Sequence, residues 1–168
     1  MGITSAIWMS GNGAQPEFAP LNQRRMAGSG VFGGADLTSN FFHFPISTPV
    51  ILNDKRTLLA RAFVLYRMQF CTVEKVELWS ADNRLAVFAV TQESGNIADH
   101  ASVLRRAFED DKTAFQLQPH FGSMMETPLG LSIAVKVRFD SRIIPTDTKR
   151  HLGQIEFFAA GGDWVATP

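Results

Sequence analysis

The stretch NFFHFPISTPVIL, from Asn40 to Leu52, decides the fold of this chain. It combines three phenylalanines, two prolines and several β-branched residues. Pro45 and Pro49 exclude a helix, because each ring removes a backbone hydrogen-bond donor and clashes with the preceding turn. The pattern therefore predicts two extended segments, bent at the prolines, in an antiparallel β protein. It predicts an architecture and no chemistry.

Alternation of apolar and polar residues predicts further strands on both sides of this stretch. It is clearest in Leu131–Phe139, where every second side chain is a large apolar one, as expected for a sheet with one solvated side. The longest predicted strand is Thr57–Phe70, whose even-numbered side chains share one face. Turn signals such as Gly11-Asn12-Gly13 and Asn53-Asp54-Lys55 separate the strands.

These strands predict one domain. We expect residues 1–168 to form a single, mostly β domain, an antiparallel β-sandwich with jelly-roll-like topology. A chain of 168 residues is long enough for one hydrophobic core, and it contains no linker or internal repeat. At most one short helix is expected near 99–110, where Val103, Leu104 and Phe108 have helical spacing.

The charge balance and the single cysteine limit the possible partners and compartments. Sixteen basic and sixteen acidic side chains cancel, so nucleic acid is not predicted as a partner. No apolar run approaches the length of a membrane span, and the first residues lack the pattern of a signal peptide. Cys71 is the only cysteine, which favours a reducing compartment. A cytoplasmic location is therefore predicted.

Two motif-like features do not predict a cofactor or a metal. Residues 28–33 fit G-x-G-x-x-G, but a dinucleotide site needs a strand before the motif and a helix after it. A new strand follows here, so we interpret these residues as a glycine-rich bend or bulged strand at an edge of the sandwich. The four histidines show none of the close spacings that metal sites use. No cofactor and no metal are predicted.

The leading functional hypothesis is a non-catalytic module that associates with itself or with a protein partner. Fourteen phenylalanines against one tyrosine, zero net charge and open edge strands favour it. Phe42, Phe158 and Trp164 are the predicted contact anchors, on the expectation that they are exposed. For Phe158, burial against the chain's own segment Asp99–Asp111 is the competing explanation.

Two alternatives remain open. The first is a carbohydrate- or small-ligand-binding module that uses Trp8, Trp79 and Trp164 as ring platforms, with Trp79 the best placed because it lies on the solvated side of its strand beside a turn. The second is a small enzyme that uses His120 and Glu126 for acid–base catalysis. The chain has no G-x-S-x-G motif, so a serine hydrolase has no support.

Several segments also resemble a known family. IWMSGN near the start, SNFFHFPISTPVIL in the middle, LGLSIAVKVRF after it and IEFFAAGGDW at the end resemble a family of short bacterial β-sandwich proteins of unknown function. Its members open with Trp-x-x-Gly-Asn, carry a central Phe-His-Phe-Pro-x-x-Thr-Pro-Val and close with Ala-Gly-x-Asp-aromatic. Asn96–Lys112 and Ser141–Leu152 are longer here than in that pattern. The resemblance implies a single small β domain and transfers no catalytic residue.

Overall fold

A computed structural model describes residues 3–93, 116–117, 125–140, 142–143 and 150–167. Within these ranges the chain forms short and long β-strands and one 3-10 turn at Gly11–Gly13. The predicted helix near 99–110 lies outside the described residues. The strands are β1 (Ser5–Ser10), β2 (Gln15–Pro16), β3 (Asn22–Arg25), β4 (Gly30–Gly33), β5 (Thr38–Ile46), β6 (Ile51–Leu52), β7 (Lys55–Gln69), β8 (Cys71–Ser80), β9 (Asn83–Glu93), β10 (Gln116–Leu117), β11 (Met125–Glu126), β12 (Leu131–Phe139), β13 (Arg142–Ile143), β14 (Arg150–His151) and β15 (Gln154–Ala166).

The strands build two antiparallel sheets. Sheet A has the order β10-β7-β15-β4-β3, with β1 also paired to β15 and with β6 and β11 also paired to β7. Sheet B has the order β2-β5-β12-β8-β9, and β13 pairs with β14 in a separate ribbon. Strands β1 and β4 lie end to end along the same side of β15, because β4 pairs with its first residues and β1 with its later ones.

The pairing of eight of these strands is nested. Taken along the chain as β1, β5, β7, β8, β9, β10, β12 and β15, the first pairs with the last, the second with the seventh, the third with the sixth, and the fourth with the fifth. A hairpin rolled onto itself in this way is a jelly roll. The prediction of an antiparallel, jelly-roll-like β-sandwich is confirmed.

The stretch Asn40–Leu52 contributes to two strands, because its first seven residues complete β5 and its last two form β6. Glu17 donates its backbone N–H to the carbonyl of Phe41 at 2.9 Å, so the odd-numbered backbone groups of β5 point toward β2. Strand β2 pairs only with Phe42 and His43, and the described part of the chain places no strand beside Pro45 on that side. The missing N–H of Pro45 therefore costs no ladder hydrogen bond, and β5 continues to Ile46.

An aromatic cluster fills the core between the two sheets. The ring of Phe157 lies 5.1 Å from Phe44, 5.2 Å from Phe42 and 6.1 Å from Phe32, measured between ring centroids. All four side chains are fully buried. Strand β12 contributes its alternate side chains to the same core, as predicted, and each of them is at most 3% exposed: Leu131, Ile133, Val135, Val137 and Phe139.

Two predicted contact anchors are part of this core. Phe42 and Trp164 are both 0% exposed, so the expectation that they are exposed is wrong. Phe42 points inward because its even position in β5 faces the other sheet, and Trp164 donates its indole N–H to Thr127 Oγ1 at 3.4 Å. A fully buried ring is not available to a partner or a ligand without rearrangement of the core.

The backbone conformation at Asn53-Asp54 and at Gly11 accounts for two turn signals of the sequence. Asn53 and Asp54 have φ of 51° and 60°, the left-handed pair that a type I′ hairpin turn between β6 and β7 requires. At Gly11 a Cβ atom would lie 1.9 Å from the carbonyl oxygen of Phe157, so only glycine allows this turn to pack against β15. Of the G-x-G-x-x-G residues, Gly28 lies in a bend and Gly30–Gly33 form β4, which leads through Gly34 and a turn into β5. The expected glycine-rich bend is present, but β4 pairs regularly with both β3 and β15, so the alternative of a bulged strand at an edge is wrong.

Candidate functional site

The outward face of sheet B is a network of ion pairs. Lys136 Nζ lies 2.7 Å from Glu74 Oε2, and Lys75 Nζ lies 2.6 Å from Glu77 Oε1. Arg138 adds a longer contact of 4.0 Å to Glu74. Charges of both signs therefore neutralise each other along this face, which is the character expected of a solvated sheet surface.

Trp79 lies on this charged face beside Glu77, in the place that the sequence predicted. Its indole N–H donates to Glu77 Oε2 at 3.0 Å, and the guanidinium carbon of Arg84 is 5.8 Å from the centroid of its ring. Burial alone would raise the pKa of Glu77, but hydrogen bonds from Lys75 and Trp79, with the charges of Lys75 and Arg84, outweigh it and hold that pKa below its usual value. The polar edge of Trp79 is thus already engaged within the chain.

The outward face of sheet A is apolar at its centre. Trp8, Gly161 and Phe63 lie opposite one another in adjacent strands β1, β15 and β7. The rings of Trp8 and Phe63 stack across the glycine, with centroids 5.1 Å apart and planes inclined by 18°. Gly161 makes this possible, because a Cβ atom there would lie 2.9 Å from Trp8 Cα and 2.4 Å from the carbonyl oxygen of Ile7.

Trp8 is the exposed member of this row. It is 44% exposed, whereas Phe63 is 6% exposed. Trp8 is more exposed than the residues next to it in β1 because side chains alternate along a strand. Ile7 and Met9 pack against the core, while Ala6 and Trp8 point outward. A tryptophan with one face packed and much of its surface in solvent is the kind of side chain that anchors protein contacts.

Strand β1 is also an open edge. It pairs with β15 on one side, and among the described residues no strand pairs with its other side. Strand β9 is an edge strand of sheet B, and its Val87 is 45% exposed. Open edges present unpaired N–H and C=O groups to another chain.

Phe158, the third predicted contact anchor, is half-buried on the outward side of β15. The guanidinium carbon of Arg67 lies 5.7 Å from the centroid of its ring, a cation–π distance. The competing explanation, burial against Asp99–Asp111, falls on residues outside the described ranges. Phe158 therefore contributes to this face together with Arg67.

Only one member of the proposed acid–base pair, Glu126, lies among the described residues. His120 lies outside them, and Glu126 is exposed in β11, opposite Leu58 of β7. In the described part of the chain, no group of three or more His, Cys, Asp or Glu side chains is placed to hold a metal ion. The catalytic hypothesis stays a prediction.

A concave site lies at one end of the sandwich, where the sequence had not indicated one. A cavity of about 300 Å³ is lined by residues of the β2–β3 and β4–β5 connections and of β5 and β12, among them Phe18, Leu21, Asn40 and Phe139. Phe18 is 65% and Leu21 59% exposed. The amide of Asn40 is not free for a ligand, because it donates to the Phe18 carbonyl at 2.8 Å and accepts from its N–H at 3.1 Å.

Comparison with known proteins adds no relative. No protein-family model, no curated protein and no solved structure matches this chain. Among the described residues, no helix has the length and apolar character needed to cross a membrane. The candidate sites therefore stand on their geometry alone.

Proposed function

We propose that this protein is a non-catalytic jelly-roll module that associates with a second copy of itself through strand β1 and Trp8. One observation carries the proposal, namely that an open edge strand presents a tryptophan that is 44% exposed. The resemblance to short bacterial β-sandwich proteins of unknown function is compatible with such a role.

Both parts of a strand-addition contact are present along β1. Its free backbone edge supplies hydrogen-bonding groups to a second β1, and two antiparallel copies would continue sheet A across a two-fold axis. Its outward side chains Ala6 and Trp8, together with the 46% exposed Ile3, supply apolar area. Specific, stable protein–protein interfaces typically bury about 800 Å² per partner, so backbone pairing and the aromatic anchor have to act together.

The contrast between the two outward faces supports the choice of sheet A. Removing the ion pairs of sheet B from water would carry a desolvation cost for each charge. The row Trp8, Gly161 and Phe63 at the centre of sheet A carries no charge, and the one carboxylate beside it along β1, that of Asp163 opposite Ala6, is already 7% exposed within the chain. Zero formal net charge also leaves little long-range repulsion between copies.

Light scattering over a concentration series tests the proposal. We expect the wild-type protein to have a mass well above the 18.6 kDa of one chain, and we expect Trp8→Ala to return it to that mass at concentrations where the wild type is associated. Trp79→Ala is the matched control, since it removes a tryptophan from the charged face. Val87→Lys is the control for the other open edge.

Three results separate the possibilities. A wild-type monomer at all concentrations would refute self-association. A Trp8→Ala variant that stays associated while Val87→Lys dissociates would move the contact to β9. Circular dichroism of each variant has to match the wild type, so that a change in mass reports the contact and not unfolding.

A ligand-binding module is the second candidate, favoured by the 300 Å³ cavity at the end of the sandwich. Its lining is mostly apolar, and the hydrogen bonds of Asn40 with the Phe18 backbone leave few polar groups for recognition. We therefore expect a small apolar ring rather than a sugar to fit it. Fluorescence of 1-anilinonaphthalene-8-sulfonate should rise with the wild type and fall with Phe18→Ser, and no difference between the two would count against this site.

A further inference from the structure

Four neighbouring strands of sheet A place a row of side chains side by side, away from Trp8. Arg24 of β3 lies opposite Val31 of β4, Val31 lies opposite Glu156 of β15, and Glu156 lies opposite Arg67 of β7. Three spacings of about 4.8 Å put the two arginine backbones roughly 14 Å apart. Side chains as long as arginine can converge above the residues between them.

Glu156 is already fully engaged in this row. It is 7% exposed, its Oε1 accepts a hydrogen bond from Ser29 Oγ at 2.8 Å, and its Oε2 pairs with Arg67 Nη2. The Arg67 guanidinium also lies against the ring of Phe158. These contacts fix Arg67 in place and neutralise its charge.

Arg24 is the positive charge that remains. It is exposed and, within the described ranges, it makes no ion pair. Arg24 and Arg67 line one cavity of about 170 Å³ together with the amide-bearing side chains Gln69 and Gln154 and with the carboxylate of Glu156. At about 30 Å³ for each water in the liquid, the cavity has room for a small ion and a few waters.

We propose that this cavity binds a small oxyanion, a carboxylate or a phosphate, between Arg24 and Arg67. Guanidinium groups bind such oxygens through paired N–H donors, and the two glutamine amides supply further donors. With Glu156 paired to Arg67, the row keeps one uncompensated positive charge, that of Arg24. The oxyanion comes either from free solute or from an acidic side chain of a partner, and the two sources share this chemistry.

The site is separate from the self-association proposed for Trp8. Arg24 lies on β3 and pairs along β4, whereas Trp8 lies on β1, farther along the same side of β15. Loss of anion binding and loss of association can therefore be measured independently, and either proposal can fail alone.

Titration of the ¹⁵N-labelled full-length chain tests the site. The probes are inorganic phosphate, acetate and neutral glucose at low ionic strength, and the readout is the side-chain Nε–Hε signals of arginine. We expect saturable shifts with phosphate or acetate, none with glucose, and at least a tenfold weaker response in Arg24→Gln. Arg138→Gln, which removes an arginine from the charged face of sheet B, should bind as the wild type does.

The titrations distinguish the two sources of the oxyanion, and some of their results would overturn the site. Saturation by phosphate alone assigns a free phosphate, while saturation by acetate alone assigns a carboxylate such as an acidic side chain. Linear shifts that never saturate, or equal losses in Arg24→Gln and Arg138→Gln, would overturn the proposal. Because Arg24 is exposed, Arg24→Gln should keep the fold, which the unchanged backbone spectrum verifies.

Discussion

Replacement of Phe157 by alanine should remove much of the stability of this domain. Removing a buried phenylalanine side chain costs about 3–5 kcal/mol, because transfer free energy is lost and a cavity remains. Phe157 is 0% exposed and packs against the rings of Phe32, Phe42 and Phe44. Each aromatic pair adds about 0.5–1.5 kcal/mol beyond burial, so we expect the upper end of that range, about 5 kcal/mol.

Phe157→Leu should cost less, roughly 2 kcal/mol, because it keeps most of the volume and loses mainly the ring contacts. For a domain of this size, 5 kcal/mol corresponds to a fall in Tm of about 10–20 °C. Urea unfolding followed by circular dichroism measures both variants, at one protein concentration so that association contributes equally. Phe18→Ala, at a site that is 65% exposed, should stay within about 0.5 kcal/mol of the wild type. A loss below about 1 kcal/mol for Phe157→Ala would refute the described packing of the two sheets.

Three further predictions concern single side chains. The pKa of Glu77 is held low in the folded state. The contribution of Glu77 to stability is therefore present above the unfolded pKa near 4.5 and is lost as pH falls through the folded value. Glu77→Gln should flatten the acid limb of a plot of unfolding free energy against pH. Burial raises the pKa of the Cys71 thiol to about 12, so a thiol reagent at pH 8 should modify it only after urea unfolds the protein, and modification of the native protein within minutes would contradict its burial. Gly11→Ala should destabilise the protein strongly, because its Cβ would meet the Phe157 carbonyl at 1.9 Å. Gly28→Ala, whose Cβ would have nothing within 4 Å, should be neutral or slightly stabilising. Chemical denaturation measures both variants.

The strands could be predicted because their patterns are local. Leu131–Phe139 alternates strictly, and the structure has a strand with those bounds. The Asn53-Asp54 signal became a hairpin turn with positive φ at both residues. In both places the side chains that determine the structure are neighbours in the sequence, so no knowledge of the rest of the chain was needed.

The sites could not be predicted as well, because they depend on pairing between distant strands. Phe42 was expected to be exposed, and its burial follows from which face of β5 meets sheet A, a choice that alternation alone does not make. The Trp8–Phe63 stack joins residues on strands separated by β15, and the Arg24–Arg67 row spans four strands. The only local signal was the run AFVLY at 62–66, which is apolar on both faces where a solvated strand would alternate.

The nested pairing of the jelly roll also sets the order in which the protein can complete its fold. Ser5 lies opposite Trp164, and β15 is hydrogen-bonded on both sides, to β7 and to β1 or β4. At a synthesis rate of about 5–20 residues per second, β1 waits roughly 10–30 s for the strand that it pairs with. Throughout that delay β1 and β7 lack the strand with which both pair, and Phe42 and Phe44 of β5 lack the ring of Phe157. We therefore expect the yield of folded protein to depend on how quickly translation proceeds through residues 154–166.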